Sequence, residues 1–477
     1  MTDRKHFTPA AQALAELASV LDPAGIITAP ADMAPYLREW RDKYAGAAAA
    51  VLRPRSVEAI SAIMKIANRH GLGLVPQSGN TGLVGGQIAF DAERQFVVNL
   101  SRLNAIRAVD PAGYTMTVES GAILRNVQEA AAAVDRLFPL SLGSEGSCQI
   151  GGTISSNAGG TGALAYGTMR DLVLGLEVVL PNGDILHGLN RLRKDNTGYD
   201  LKNLFIGAEG TLGIVTAAVL KLFPHPRGRQ VGFLGFADTD RIAAFYTRAQ
   251  AHGGASLTAF EVMPRIGIEF LTRHVAGARD PLATPHDWYV LIEIASEQSI
   301  EEAQRRMMAL VADGIEAEEI ADGTLAASEA QRQHLWFLRH EMSGCQKPEG
   351  GSIKHDISVP VAALPGFLTE AAAAATAFIP GARPVPFGHW GDGNIHFNVS
   401  QPVGMDQAAF LSQWEVMNDL IHSIVTAHGG SISAEHGIGV MKRESLVKVK
   451  DPVALGLMRQ IKAMLDPNGI MNPGKVL

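Results

Sequence analysis

Residues 76–86 read PQSGNTGLVGG, and residues 151–167 read GGTISSNAGGTGALAYG. A loop that holds a phosphate turns several backbone N–H groups toward one point, and glycine permits both the turn and the close approach. Gly79, Gly82, Gly85 and Gly86 space the first stretch, and Gly151, Gly152, Gly159 and Gly160 space the second. Ser78, Asn80, Thr81, Ser155 and Asn157 add short hydrogen-bonding side chains. Either stretch alone reads equally well as turn chemistry. Two of them in one region suit a pyrophosphate and, beyond it, a large dinucleotide. The GxGxxG fingerprint after a strand is absent, which disfavours a Rossmann site.

Outward from these loops the chain reads as mixed helix and strand. Residues 8–21 form an amphipathic pattern with Leu14, Leu17, Val20 and Leu21 as its stripe, and residues 57–71 form a second, stopped by Gly71. FVVNLSRLNAIRAVD and YTMTVESGAIL read as strands, RNVQEAAAAVD as a helix, and residues 137–167 as mostly irregular. LVLGLEVVLPNGDIL is a hairpin turned at Pro181-Asn182-Gly183-Asp184. After residue 226 the strand patterns VGFLGFA and WYVLIEIA alternate with helix patterns, which suggests a smaller sheet with helices on one face. Beyond about residue 405 the pattern is helical, and residues 431–477 return to loops and short helices.

The 477 residues are 47% apolar and 19% charged with a net charge of −7, ordinary for a globular protein and against nucleic-acid binding. No apolar run suggests a membrane span. The N-terminal stretch lacks an apolar signal core and carries Asp3, Glu16 and Asp22, so a cytoplasmic location is expected. Cys148 and Cys345 stand far apart, with no CxxC pair, and read as small buried side chains.

Residues 387–399, FGHWGDGNIHFNV, hold a second signal. Ile395, Phe397 and Val399 share one strand face, while Asn394, His396 and Asn398 share the other. The turn WGDGN lets His389 and His396 face each other. With Glu435 they form a candidate metal-ligand set, since imidazole and carboxylate suit Zn²⁺ in a catalytic site with an open position. The spacing HxxxxxxH is no zinc signature by itself, and polar residues beside a turn are the plainer alternative. His436 is then the best general base, because an imidazole with an ordinary pKa of about 6.5 accepts a proton at neutral pH.

The segments PQSGNTGLVGG, GGTISSNAGG, NLFIGAEGTLGIVT, GHWGDGNIHFNV, AEHGIG and NPGK, in this order, resemble the FAD-linked oxidase family related to vanillyl-alcohol oxidase. Within it they look most like the D-lactate and D-2-hydroxyglutarate dehydrogenase branch, from about residue 45 onward. The resemblance implies an α+β fold: a PCMH-type two-subdomain FAD-binding domain (46–226) after an N-terminal helical segment (1–45). A substrate-binding α+β domain with an antiparallel sheet and helices (227–430) would follow, then a C-terminal segment packing back on the flavin (431–477). Residues Pro76, Gln77, Ser78, Gly79, Asn80, Thr81, Gly82 and Leu83 would hold the pyrophosphate. Gly143, Ser144, Ile150, Gly151, Gly152, Ser155, Asn157, Gly159 and Gly160 would line the flavin and its ribityl chain. Ile214 and Val215 would contact FAD through backbone, and Asn472 would close over the ring. No histidine lies between His70 and His187, so the first loop cannot attach flavin covalently and non-covalent FAD is expected.

The same resemblance implies Zn²⁺ or another divalent transition metal on His389, His396 and Glu435, with substrate held by Arg339, Ser343, Lys354, Asn398 and His436. Arg339 reads otherwise as a solvated helix face. Serine at 343, where the branch often has threonine, leaves side-chain selectivity open. The implied reaction takes a D-2-hydroxy acid, best D-2-hydroxyglutarate or a similar diacid, to its 2-oxo acid. His436 would take the hydroxyl proton, and the hydride would pass to flavin N5. A separate acceptor, an electron-transfer flavoprotein or a quinone, would take the electrons, and a homodimer is expected. The alternatives are a D-lactate or glycolate dehydrogenase or oxidase of the same family, and, from another class, a metal-dependent hydrolase.

Overall fold

A computed structural model describes residues 9–477; Asp3 of the N-terminal stretch and Thr8 of the expected first helix lie outside them. The chain divides into two compact units. One holds residues up to Gly159, then Thr168–Pro224 and Glu435–Leu477; the other holds Gly160–Gly167 and His225–Ala434.

In the first unit, β1 (Ile26–Ile27) pairs antiparallel with β2 (Ala47–Leu52). Helix Val57–His70 follows β2. Ser56 starts it, its Oγ accepting from the Ala59 N–H at 3.1 Å, and Gly71 ends it at φ 62°, a left-handed cap that glycine adopts without strain. The chain returns through β3 (Gly73–Gln77) and β4 (Phe90–Asn99), both parallel, giving the order β1-β2-β4-β3. Ile60, Ile63, Met64 and Ala67 of the helix bury against Leu74, Phe96 and Val98, with Ile470 and Met471 of the C-terminal segment in the same core. Loop 76–86 therefore leaves the carboxyl end of a parallel strand, where open sheets with parallel strands bind ligands. A second, antiparallel sheet combines β5 (Ile106–Asp110), β6 (Thr115–Glu119), β8 (Val173–Val179), β9 (Ile185–Gly188) and β10 (Ile214–Lys221) in the order β5-β6-β10-β8-β9. The short β7 (Arg136–Leu137) pairs with β11 (Phe223–Pro224).

The second unit is built on seven antiparallel strands: β12 (Gly228–Phe236), β13 (Leu257–Pro264), β14 (Trp288–Ser296), β15 (Asp322–Leu325), β16 (Ser352–Ser358), β17 (Arg383–His389) and β18 (Asn394–Ser400). Their order is β15-β12-β14-β13-β17-β18-β16. One face carries Phe236, Phe260, Ile292, Ile357, Ile395 and Phe397 under helices Thr239–Gly253, Ile300–Glu316, Leu364–Phe378 and Trp414–Ala427. The expectation of helices on one face only is corrected here. Helices Arg265–His274 and Glu329–Glu341 cover part of the other face through Ile268, Phe270, Leu335 and Leu338 over Phe233, Tyr289 and Phe387. The reason is legible in β12 and β14. Both are apolar on successive residues, so each exposes two apolar faces that need cover. The alanine-rich stretch Val361–Phe378 is long and apolar enough to cross a membrane, yet Leu364, Phe367, Leu368, Ala371 and Ala375 bury one side of it in this core.

Candidate functional site

The first unit holds the first glycine-rich stretch and residues 151–159 of the second. A Cβ at Gly79 would meet the Ser147 carbonyl at 2.3 Å, and one at Gly151 would meet Ser120 Cβ at 2.6 Å. Gly152 approaches Ser78 in the same way, with its would-be Cβ 3.2 Å from Ser78 Cβ. Close approach therefore demands glycine at 79 and 151, while a Cβ at 152 would be tight. Gln77 is buried, and its Nε2 donates to the Tyr36 and Gln87 carbonyls at 2.8 and 3.1 Å, which fixes the root of the loop. Asn80 adopts φ 54°, and its Nδ2 donates to the Pro35 and Arg38 carbonyls at 3.1 and 3.0 Å. Pro76 of β3 packs against Gly210, its Cγ 3.0 Å from a would-be Cβ there, and Gln87 Nε2 donates to the Gly82 carbonyl at 2.9 Å, with Thr81 and Leu83 on either side of Gly82. Ile150 is fully buried in the short helix Ile150–Ser155.

Other expected cofactor residues have structural duties. Asn157 Oδ1 accepts from the Arg170 N–H at 2.9 Å, and the Ser155 carbonyl accepts from the Glu209 N–H at 2.8 Å. The Ser144 carbonyl accepts from the Ser147 and Cys148 N–H groups, while the neighbouring Gly143 is exposed. Ile214 and Val215 are buried where β10 pairs with β8. Gly159 ends its segment of the first unit, and Gly160 groups with the second.

Buried polar atoms show what this cradle can hold. Asn80 Oδ1, Ser120 Oγ, Gln149 Oε1 and Asn472 Oδ1 are buried without a hydrogen-bond partner on the protein. Such atoms carry a desolvation cost unless a ligand or water satisfies them. One lies in the first glycine loop, one after strand β6, one just before the second glycine stretch and one in the C-terminal segment, a spread that suits a long ligand with many polar groups such as FAD.

The C-terminal segment is laced into the same unit. Asn472 Nδ2 donates to the Gly86 and Glu209 carbonyls at 3.0 and 2.8 Å. Glu209, absent from the sequence reading, receives the Ile438 and Gly439 N–H groups at 2.7 and 2.8 Å. Burial pushes its carboxyl pKa up, against the downward pull of those two bonds. Glu435 and His436 open this segment, with His436 Nε2 4.0 Å from Glu435 Oε1.

In the second unit, strand register builds a polar surface. His396 stands opposite Asp356 of β16 and Phe387 of β17, Asn398 opposite Lys354, and Asn394 opposite His389. Directly opposed residues share a face, so Lys354, Asp356, Asn394, His396 and Asn398 form one patch. His396 Nδ1 lies 3.8 Å from Asp356 Oδ1, and Asn394 Nδ2 donates to the same oxygen at 3.0 Å. The His389 and His396 rings meet edge to face with centroids 5.7 Å apart. Asn398 is buried and donates from Nδ2 to Gln346 Oε1 at 3.1 Å.

The basic residues divide. Lys354 Nζ donates to the Ser343 carbonyl at 3.4 Å, joining two expected substrate residues. Arg339 is not the solvated helix residue of the plainer reading: it is 6% exposed, its guanidinium lies 5.2 Å over the Phe387 ring, and it pairs with Glu261. Glu261 also accepts from His389 Nδ1 at 2.9 Å. Burial pushes the Glu261 pKa up, but the charges of His389 and Arg339 outweigh it and hold the carboxyl below its ordinary value. Sequence reasoning missed Glu261, Asp356 and Gln346. For Asp356 alone a signal existed, its place two residues beyond Lys354 on one strand.

Known proteins fit this geometry. Residues 225–476 match the family described as FAD linked oxidases, C-terminal domain, and residues 48–188 match the FAD binding domain. The chain is 36% identical over 458 residues to D-2-hydroxyglutarate–pyruvate transhydrogenase DLD3 of Saccharomyces cerevisiae, covering 94% of this chain and 90% of that one. It is 36% identical over 449 residues to the D-2-hydroxyglutarate dehydrogenase of Xanthomonas citri pv. viticola, covering 94% and 93%. In fold it resembles p-cresol methylhydroxylase with substrate bound, at a TM-score of 0.74, 17% identity and coverage of 98% and 96%. The loops that leave polar atoms for a long ligand, and the match along both units, converge on one conclusion: the chain belongs to the FAD-linked oxidase family.

Proposed function

We propose that this protein oxidises a D-2-hydroxy acid, best a dicarboxylic one such as D-2-hydroxyglutarate, to the 2-oxo acid, and passes the electrons to a separate acceptor such as an electron-transfer flavoprotein or a quinone. The observation that carries this reading is the polar face of the second unit's sheet. There His389 and His396 stand ring to ring, Asp356 and Asn398 flank them, and Lys354 lies in register with Asn398. An otherwise apolar sheet concentrates imidazole, carboxylate, amide and ammonium groups at one place. The names of the relatives give the substrate class.

FAD, when bound along the first unit's loops, supplies the redox chemistry by accepting a hydride. A divalent transition metal such as Zn²⁺, when bound, would polarise the substrate's hydroxyl oxygen. His389, His396 and Glu435 would hold it. Asp356, directly opposite His396 in the strand register and 3.8 Å from its Nδ1, adds a carboxylate beside the two histidines within the second unit. His389 would enter through Nε2, since Glu261 engages its Nδ1. His436 would take the hydroxyl proton on its imidazole, with Glu435 beside it to stabilise the charge it gains. Asn398 would bind the substrate's C1 carboxylate. Lys354, Ser343 and Arg339 would receive a distal carboxylate, which D-lactate lacks.

Anaerobic flavin bleaching tests this reading. D-2-hydroxyglutarate should bleach the bound flavin faster than D-lactate, L-acids should not bleach it, and a chelator that strips the metal should abolish bleaching. Equal rates for D- and L-acids would remove the stereochemical assignment. Bleaching that survives proven metal loss would remove the metal's role. A colourless protein unable to take up FAD would favour a metal-dependent hydrolase.

A further inference from the structure

Glu261 lies on β13, directly opposite His389 of β17 in the sheet register, and is 1% exposed. Its two oxygens serve different partners. Oε1 lies 2.9 Å from His389 Nδ1; Oε2 lies 2.8 Å from Arg339 Nε and 2.7 Å from Arg339 Nη2. A lone buried carboxylate is costly, so one cationic partner suffices to explain its retention. One partner does not explain the second contact. A carboxylate on Nδ1 fixes the imidazole's tautomer and orientation, leaving Nε2 as the ligating nitrogen, and this arrangement recurs behind metal-bound histidines. The other oxygen holds the guanidinium at its Nε edge, and the Phe387 ring, 5.2 Å from Arg339 Cζ, sets the plane.

We propose that Glu261 is a positioning residue that sets His389 for the metal and Arg339 for the distal carboxylate, so that metal affinity and preference for dicarboxylic substrates depend on one side chain. This rests on the metal and substrate reading above. The coupling is geometric. A rotation of the Glu261 carboxylate moves both partners, since one oxygen holds each.

The test is Glu261→Gln in the full-length FAD-loaded protein, with Zn²⁺ as the probe in competition with a chromophoric chelator. Loss of a carboxylate behind a metal-bound histidine weakens the metal by about 10- to 100-fold. We expect that loss, together with a larger rise in KM for D-2-hydroxyglutarate than for D-lactate, at unchanged FAD content. Zn²⁺ affinity within twofold of wild type, or an unchanged ratio of the two KM values, would overturn the proposal. If Glu261→Gln fails to fold around an unpaired Arg339, the double variant Glu261→Gln/Arg339→Met is compared with Arg339→Met. The proposal requires weaker Zn²⁺ binding in the double variant and falls if the two bind alike. His389→Ala separates the levels. If it binds Zn²⁺ as wild type does, the metal reading itself fails, and the proposal with it. If it loses Zn²⁺ while Glu261→Gln keeps it, only the proposal fails.

Discussion

At the scale of single residues, the costly groups are those buried without full compensation, and Lys475 is the clearest. It is 3% exposed, with Nζ 5.1 Å from the Phe90 ring centroid and 3.3 Å from the Pro473 carbonyl. Burial pulls its pKa down to about 8 from an ordinary 10.5. The folded state thus releases a proton that the unfolded state keeps between these values, so stability rises with pH across that window. Below it both states are charged, and the folded one bears the whole cost of a buried ammonium, on the order of 3 kcal/mol. Lys475→Met should raise stability at pH 7 by about 2 kcal/mol and flatten the rise between pH 8 and 10, as measured by urea unfolding at fixed FAD. Equal pH dependence in both proteins would show that another group carries the titration.

At the scale of elements, glycines of similar backbone freedom should differ in cost. Gly71, at φ 62°, has nothing within 4 Å of a would-be Cβ, so Gly71→Ala should cost only the left-handed strain, about 1 kcal/mol. Gly388, at φ 152°, would place a Cβ 2.6 Å from the Asn394 carbonyl oxygen across the β17–β18 ladder. Gly388→Ala should cost more, about 2–3 kcal/mol, and should also displace the adjacent His389; chemical denaturation compares the pair. The same elements show why some of the site was legible. Helix Val57–His70 carries its cap, its apolar period and its glycine stop in the sequence, and β18 alternates cleanly enough to place Asn394, His396 and Asn398 together. β13 offers neither signal. All eight residues of LTAFEVMP are buried, so alternation vanishes, and Glu261 looks like a stray acid in an apolar run. Glu209 is hidden for another reason. It sits at φ 50° between short elements, and its partners Ile438 and Gly439 are 229 and 230 residues away, beyond any local pattern.

At the scale of the whole molecule, the chain's last residues complete a structure begun near its start. Leu74 of β3 bridges to Met471, its N–H donating to the Ile470 carbonyl at 2.7 Å and its carbonyl accepting from the Asn472 N–H at 2.8 Å. Ile470 and Met471 are 2% and 0% exposed in the core under helix Val57–His70. Asn472 then ties Gly86, at the end of the first glycine loop, to Glu209. The FAD cradle thus depends on contacts separated by about four hundred residues, whose closure carries a loop-entropy cost that the buried side chains offset. Deleting residues 470–477 removes three buried apolar side chains, Ile470, Met471 and Val476, worth about 5–9 kcal/mol together, and the amide that ties the first glycine loop to Glu209. The truncated protein should lose bound FAD, read as a loss of flavin absorbance. The first unit should melt at lower temperature, while the seven-stranded unit, which owns none of these contacts, keeps its own transition. If calorimetry instead shows both units destabilised equally, the C-terminal segment supports more than the cradle in which its bonds are made.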